Sequence, residues 1–204
     1  MNYFIKSILI LCISLSLQGC SGNGVSEQSE QAYREILTLY PNDLVDHLPC
    51  IDNQKVKFIE LEFPKGKYCS YIHLIIPYSQ NKIDSVEART RTIAKAEYHF
   101  TDSCSMIVNY NSVIYSNTSF KLKKCNLLSN MLPIPNFEFL KDADLPINFY
   151  KNASIYVLDA KRGEILDIDY LSREGVGLPN EWLHGYTKGV VIGGNITVYW
   201  LEVW

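Results

Sequence analysis

Two β-rich runs near the end of the chain, Gly189 to Ile192 and Ile196 to Trp204, are separated by Gly193-Gly194-Asn195. β-branched and aromatic residues suit a pleated, buried surface, and Gly-Gly-Asn supplies the positive φ angles of a tight hairpin. Upstream, Val56 to Phe63 alternates apolar residues with Lys57, Glu60 and Glu62, Pro64-Lys65-Gly66-Lys67 has turn chemistry, and Tyr68 to Ile76 follows as a second apolar run ended by Pro77. This pattern predicts a second hairpin. Ser105 to Tyr110, Val113 to Leu122 and Ser154 to Ala160 read as further strands, the last before a turn at Lys161-Arg162-Gly163-Glu164. The apolar residues Tyr33, Ile36, Leu37 and Tyr40 follow helical spacing between Glu27 and Tyr40, where Pro41 stops the pattern. Asp84 to Tyr98 reads both ways: Asp84 suits the cap of a helix with Val86 and Ile93 inward, whereas Thr90, Thr92 and Ile93 suit a strand. We read it as a helix. Met131 to Pro146, with Pro133, Pro135 and Pro146, predicts a long irregular connection. The expected class is α+β: a single domain of predominantly antiparallel β-sheet with an N-terminal helix.

The other end of the chain constrains location. One lysine, Lys6, precedes an apolar run from Ile8 to Leu17, the length of a signal-peptide core and about half of what spans a bilayer. The run closes on Leu17-Gln18-Gly19-Cys20, which resembles the lipobox of bacterial lipoproteins. The resemblance implies that residues 1–19 are removed and that Cys20 becomes a lipidated, palmitate-type N-terminus. Residues 20–30 are small and polar and read as a flexible tether, leaving 31–204 as the globular domain. Inner-membrane lipoproteins commonly carry Asp after the lipidated cysteine, and Ser21 stands there, so the resemblance implies the outer membrane.

An exported chain meets an oxidising compartment. Beyond Cys12 and Cys20 it retains Cys50, Cys69, Cys104 and Cys125, which allow three connectivities. Sequential pairing, Cys50 with Cys69 and Cys104 with Cys125, is favoured because each pair flanks a predicted strand pair. Buried free thiols are the alternative.

Chemistry is harder to place. A net charge of −3 gives no basic footprint for nucleic acid. His47, His73, His99 and His184 show neither HxH nor HExxH spacing, and no GxSxG, GxGxxG or GxxxxGK[ST] stretch occurs, so no metal, cofactor or catalytic set is expected. Asp142 with Asp144 and Asp167 with Asp169 lack the further ligands of a calcium loop and read as solvated turn acids.

The densest unusual stretch is Leu178 to Gly189, where Trp182, His184 and Tyr186 fall close together, and all three tryptophans lie between 182 and 204. Aromatic faces rimmed by polar groups are what glycan or peptide recognition uses, although large aromatics are more often packing. We take Trp182, His184 and Tyr186 as the candidate ligand-binding residues, with Trp182 partly exposed. The alternative is an envelope hydrolase using His184 as base with Asp159 or Asp169. The Trp182-Leu183-His184-Gly185-Tyr186 stretch, the terminal Tyr199-Trp200 strand and Cys104 resemble lipoproteins of Bacteroides and its relatives. That likeness implies an exported lipoprotein and no activity. The expectation is a lipid-anchored, non-enzymatic envelope protein that binds a protein, peptide or glycan.

Overall fold

In the computed structural model the described residues are 25–52, 54–63, 69–102, 104–109 and 131–204. Among them, six strands form one antiparallel sheet: β1 (Phe58–Glu62), β2 (Ser70–Pro77), β3 (Ala96–His99), β4 (Ser154–Arg162), β5 (Gly185–Gly193) and β6 (Ile196–Val203), in the spatial order β1-β2-β6-β5-β4-β3. The terminal hairpin forms as its turn chemistry requires. Gly193 pairs with Ile196, Tyr186 with Val203, and Gly194 takes φ +59 in the turn. β2 then runs the whole length of β6, from Ser70↔Val203 to Pro77↔Ile196.

The sheet is covered on both faces. Helices α1 (Glu27–Leu37), α2 (Asn42–Val45) and α3 (Gln80–Ile93) bury Tyr33, Ile36, Leu44 and Ile83 against Ile72, Leu74, Tyr199 and Leu201. The other face takes Phe137, Phe139, Leu140 and Phe149 against Ile75, Ile155, Val191, Val198 and Trp200. This second cover is a 3-10 turn at Glu138–Lys141, a four-residue helix α4 (Phe149–Asn152) and irregular chain. Every residue of β5 and β6 is buried, which is why these strands read as near-continuous apolar runs.

Several expectations change. The chain is α+β with an antiparallel sheet, but α1 is one of several helices. Ser26 caps α1, its Oγ accepting from the Ser29 N–H at 3.2 Å, so residues 27–30 of the expected tether are the first turn of a helix. The ambiguous segment divides: α3 ends at Ile93 and β3 begins at Ala96. Ser79 is the N-cap of α3, Asp84 lies within the helix bonded to Gln80 at 2.7 Å, and Ile93 is exposed rather than inward. α3 thereby carries the chain from β2 across the helical face to the far edge. Among the described residues the buried stretch Ser105 to Val108 makes isolated bridges, at Ser105 and from Ile107 to Ile134, in place of a strand. The turn at 64–67 and the strand expected at Val113 to Leu122 lie outside the described residues.

Candidate functional site

The segment between β4 and β5 returns to the sheet through a 3-10 turn, Asn180–Trp182, opened by Pro179. The Trp182 ring packs against Trp204 with centroids 6.3 Å apart, and the Arg162 guanidinium lies 5.0 Å over it. The Trp182 carbonyl accepts from Trp204 Nε1 at 2.9 Å. Gly185 and Trp204 exchange backbone bonds at 3.1 and 3.0 Å, so the turn is pinned to the last residue of the chain. Trp182 is therefore only 3% exposed, which corrects the expectation of a partly exposed ring. An indole at the sheet end buries more apolar area against Trp204 than it would by facing solvent.

What the turn presents to solvent is its neighbours. Leu183 is 44% exposed. His184 is half-buried; its carbonyl accepts from the Gly163 N–H at 3.0 Å, and its Nδ1 is buried without a hydrogen-bond partner among the described residues. Tyr186 belongs to β5 and is buried, its hydroxyl donating to Asp159 Oδ2 at 2.6 Å. The three sequence candidates thus differ in environment: two are anchors and His184 is the accessible one.

Asp159 reaches Tyr186 because a register shift between Val157 and Asp159 re-aims the strand, as bulges do. Lys95 Nζ donates to its other oxygen at 2.5 Å. Burial favours the neutral acid, but Lys95 and Tyr186 outweigh it and hold the carboxyl below its ordinary range. Burial and Asp159 push the Tyr186 phenol up, so it stays a donor. Asp159 is fully engaged by these groups, and no ion pair joins His184 to Asp159 or to Asp169 among the described residues. No group of three His, Cys, Asp or Glu among the described residues is placed to hold a metal ion, and this includes the two aspartate pairs.

The expected bond between Cys50 and Cys69 does not form; both are free thiols. Cys50 is exposed beyond α2, donating to Asp52 at 3.1 Å, whereas Cys69 is buried among Met106, Val108, Val176, Trp182 and Trp204 on the opposite side of the sheet. Burial pushes the Cys69 thiol well up, which makes it a small apolar group in effect. Cys104 is disulfide-bonded, and Cys125, its expected partner, lies outside the described residues, as does Cys20.

Sequence reading missed two buried ionic groups. Lys188, on β5, reaches Asp46 Oδ1 at 2.6 Å and the Asp43 carbonyl at 2.5 Å. Next to it His47 bonds the Trp200 carbonyl at 2.9 Å, and burial lowers its pKa to about 4, so it is neutral. On the other face His73 stands between Glu60 and Glu202, each 3.0 Å from one ring nitrogen. The available signal was a single ionisable residue inside each of two apolar strands, His73 in β2 and Glu202 in β6. No protein-family model, curated protein or solved structure matches this chain.

Proposed function

We propose that the protein is a lipid-anchored domain of the bacterial cell envelope that binds a protein, peptide or glycan and catalyses no reaction. The observation that carries the binding reading is the construction of the 182–184 turn. A loop end is held rigidly by the Trp182–Trp204 contact and their hydrogen bond, while Leu183 stands exposed at its surface beside the half-buried His184, whose Nδ1 lies buried beneath. Loops fixed by a rigid sheet are where recognition groups concentrate, and a fixed loop loses little entropy on binding. In this reading Trp182 and Tyr186 act as anchors, and Leu183 and His184 touch the partner.

The anchor reading rests on the lipobox-like end at Gly19-Cys20. Because α1 starts at Glu27, only residues 21–26 separate its first turn from Cys20. At ~3.5 Å per residue, such a segment reaches about 20 Å. The domain then sits close against the outer membrane. Acyl chains contribute ~0.8 kcal/mol per buried CH₂, and several chains make attachment stable. Cys20→Ser is expected to move the protein into the soluble fraction on cell fractionation, and continued membrane association defeats the anchor. For the ligand, the domain from Val25 onward is screened on glycan and peptide arrays; a saturable hit supports binding, whereas turnover of a model ester by a His184-dependent route supports the hydrolase.

A further inference from the structure

The sheet face opposite the three helices is closed by chain with little regular structure among the described residues, tied to its surroundings by individual hydrogen bonds. Leu132 N–H donates to Tyr98 Oη at 2.9 Å, Thr187 Oγ1 donates to the Pro133 carbonyl at 2.6 Å, and the Ile134 N–H donates to the Met106 carbonyl at 2.9 Å. The 3-10 turn at Glu138–Lys141 then lays Phe139 face to face on the His73 ring, centroids 3.8 Å apart and planes 10° from parallel. Tyr71 also stacks with the His73 ring, at 4.6 Å and 9°.

The edges of the imidazole are as constrained as its faces. Strand register puts Glu60 directly opposite His73 across β1 and β2, and places Glu202, opposite Tyr71, diagonally across β2 and β6. Glu60 Oε2 lies 3.0 Å from Nδ1 and Glu202 Oε1 lies 3.0 Å from Nε2. An ionised carboxylate only accepts, and a neutral imidazole has one N–H to give. With both carboxylates ionised, both contacts are hydrogen bonds at once only when the ring carries two protons. His73 and Glu202 are fully buried, whereas the Glu60 side chain is 40% exposed at the sheet edge.

We infer that His73 is a proton-operated latch: as the imidazolium it ties β1, β2 and β6 together beneath Phe139 and keeps the 132–141 cover seated, and loss of its proton releases that cover. With one proton gone, a nitrogen lone pair faces a carboxylate oxygen in a buried site, where such an unmade bond is costly. Water relieves it by entering from the exposed Glu60 side, and Phe139 stands in the way. The groups facing the ring act in one direction. Glu60 on β1 and Glu202 on β6 favour the charged ring, and Glu62 stands opposite Tyr71 at the same strand end. Tyr71 on β2 and Cys69 just before it stay neutral because burial pushes phenol and thiol up. The cover contributes uncharged Phe139, since Glu138 and Lys141 pair with each other at 3.3 Å.

Burial of the ring disfavours the charge, but the two carboxylates outweigh it, so the His73 pKa is raised above its ordinary 6.5. In an opened cover the ring returns toward the ordinary value. Closure is therefore fully stabilised below that value and loses about tenfold per pH unit as pH rises to the raised one, then levels off. The test is hydrogen exchange on the full chain in detergent from about pH 6 to about pH 10, corrected for intrinsic exchange, with ¹⁵N shifts reporting the His73 ring. Protection of the Ile134 and Leu140 amides is expected to fall about tenfold per pH unit from the ordinary imidazole range up to the raised pKa that the ¹⁵N shifts report, and then to level off, while the amides of α3 hold theirs. The apolar variant His73→Phe/Glu202→Leu is expected to keep a pH-independent cover. A ring that titrates at or below its ordinary range, a cover whose protection stays level between that range and the ring's raised pKa, or an unchanged pH response in the double variant overturns the latch.

Discussion

Gly189→Ala is expected to remove a large part of the protein's stability. Gly189 sits in the middle of β5, opposite Trp200 on β6 and Val157 on β4. An added Cβ would overlap the Tyr156 carbonyl oxygen and the Trp200 ring. Neither can give way. The carbonyl belongs to the central sheet, and the Trp200 indole is fully buried, edge-on to Phe137 at 5.6 Å and 90°. Overpacking a core costs roughly 1–3 kcal/mol, and a clash with both backbone and a fixed ring belongs at or above the top of that range. Total stabilities run about 5–15 kcal/mol, so the denaturation midpoint should fall steeply. A loss below about 1 kcal/mol would mean that Trp200 does not lie across β5.

Trp182→Ala is expected to cost about 3–5 kcal/mol, the usual cost of emptying a buried indole site. The ring supports Trp204, carries the Arg162 guanidinium and fills a cluster with Cys69, Met106 and Val176. A residue whose ring met only the ligand would leave the unfolding curve almost unchanged. This prediction therefore separates the anchor role from a contact role.

The elements read correctly from sequence are those whose cause is local. The Gly193-Gly194-Asn195 turn, the alternation of β1 and the helical spacing around Tyr33 and Ile36 each specify their structure within a few residues, and each formed. Features set by contacts distant in sequence were not legible. Asp84 looked like a cap because Asp suits that position, yet the helix starts earlier, at Gln80 after Ser79. Cys50 and Cys69 are near in sequence, but the layer between them is the sheet itself. Trp182 is expected to be partly exposed because it sits in a loop, and it is buried by Trp204 together with Cys69, Met106 and Val176, most of them distant in sequence. The His73 cluster depends on the β1-β2-β6 order, which places three strands from two ends of the chain side by side.

The account places Leu183 and His184 at the recognition surface and Trp182 and Tyr186 beneath it. The most direct test is the affinity of Leu183→Asp for the ligand selected on the array, measured beside its unfolding curve. Leu183 is exposed, so an acidic residue there should change stability by no more than about 0.5 kcal/mol. A charge placed in a desolvated contact should weaken binding by roughly tenfold or more, about 1.4 kcal/mol or above. Lost affinity with an unchanged unfolding curve is the predicted result; unchanged affinity in a stably folded Leu183→Asp variant would contradict the assignment of the 182–184 turn as the binding surface.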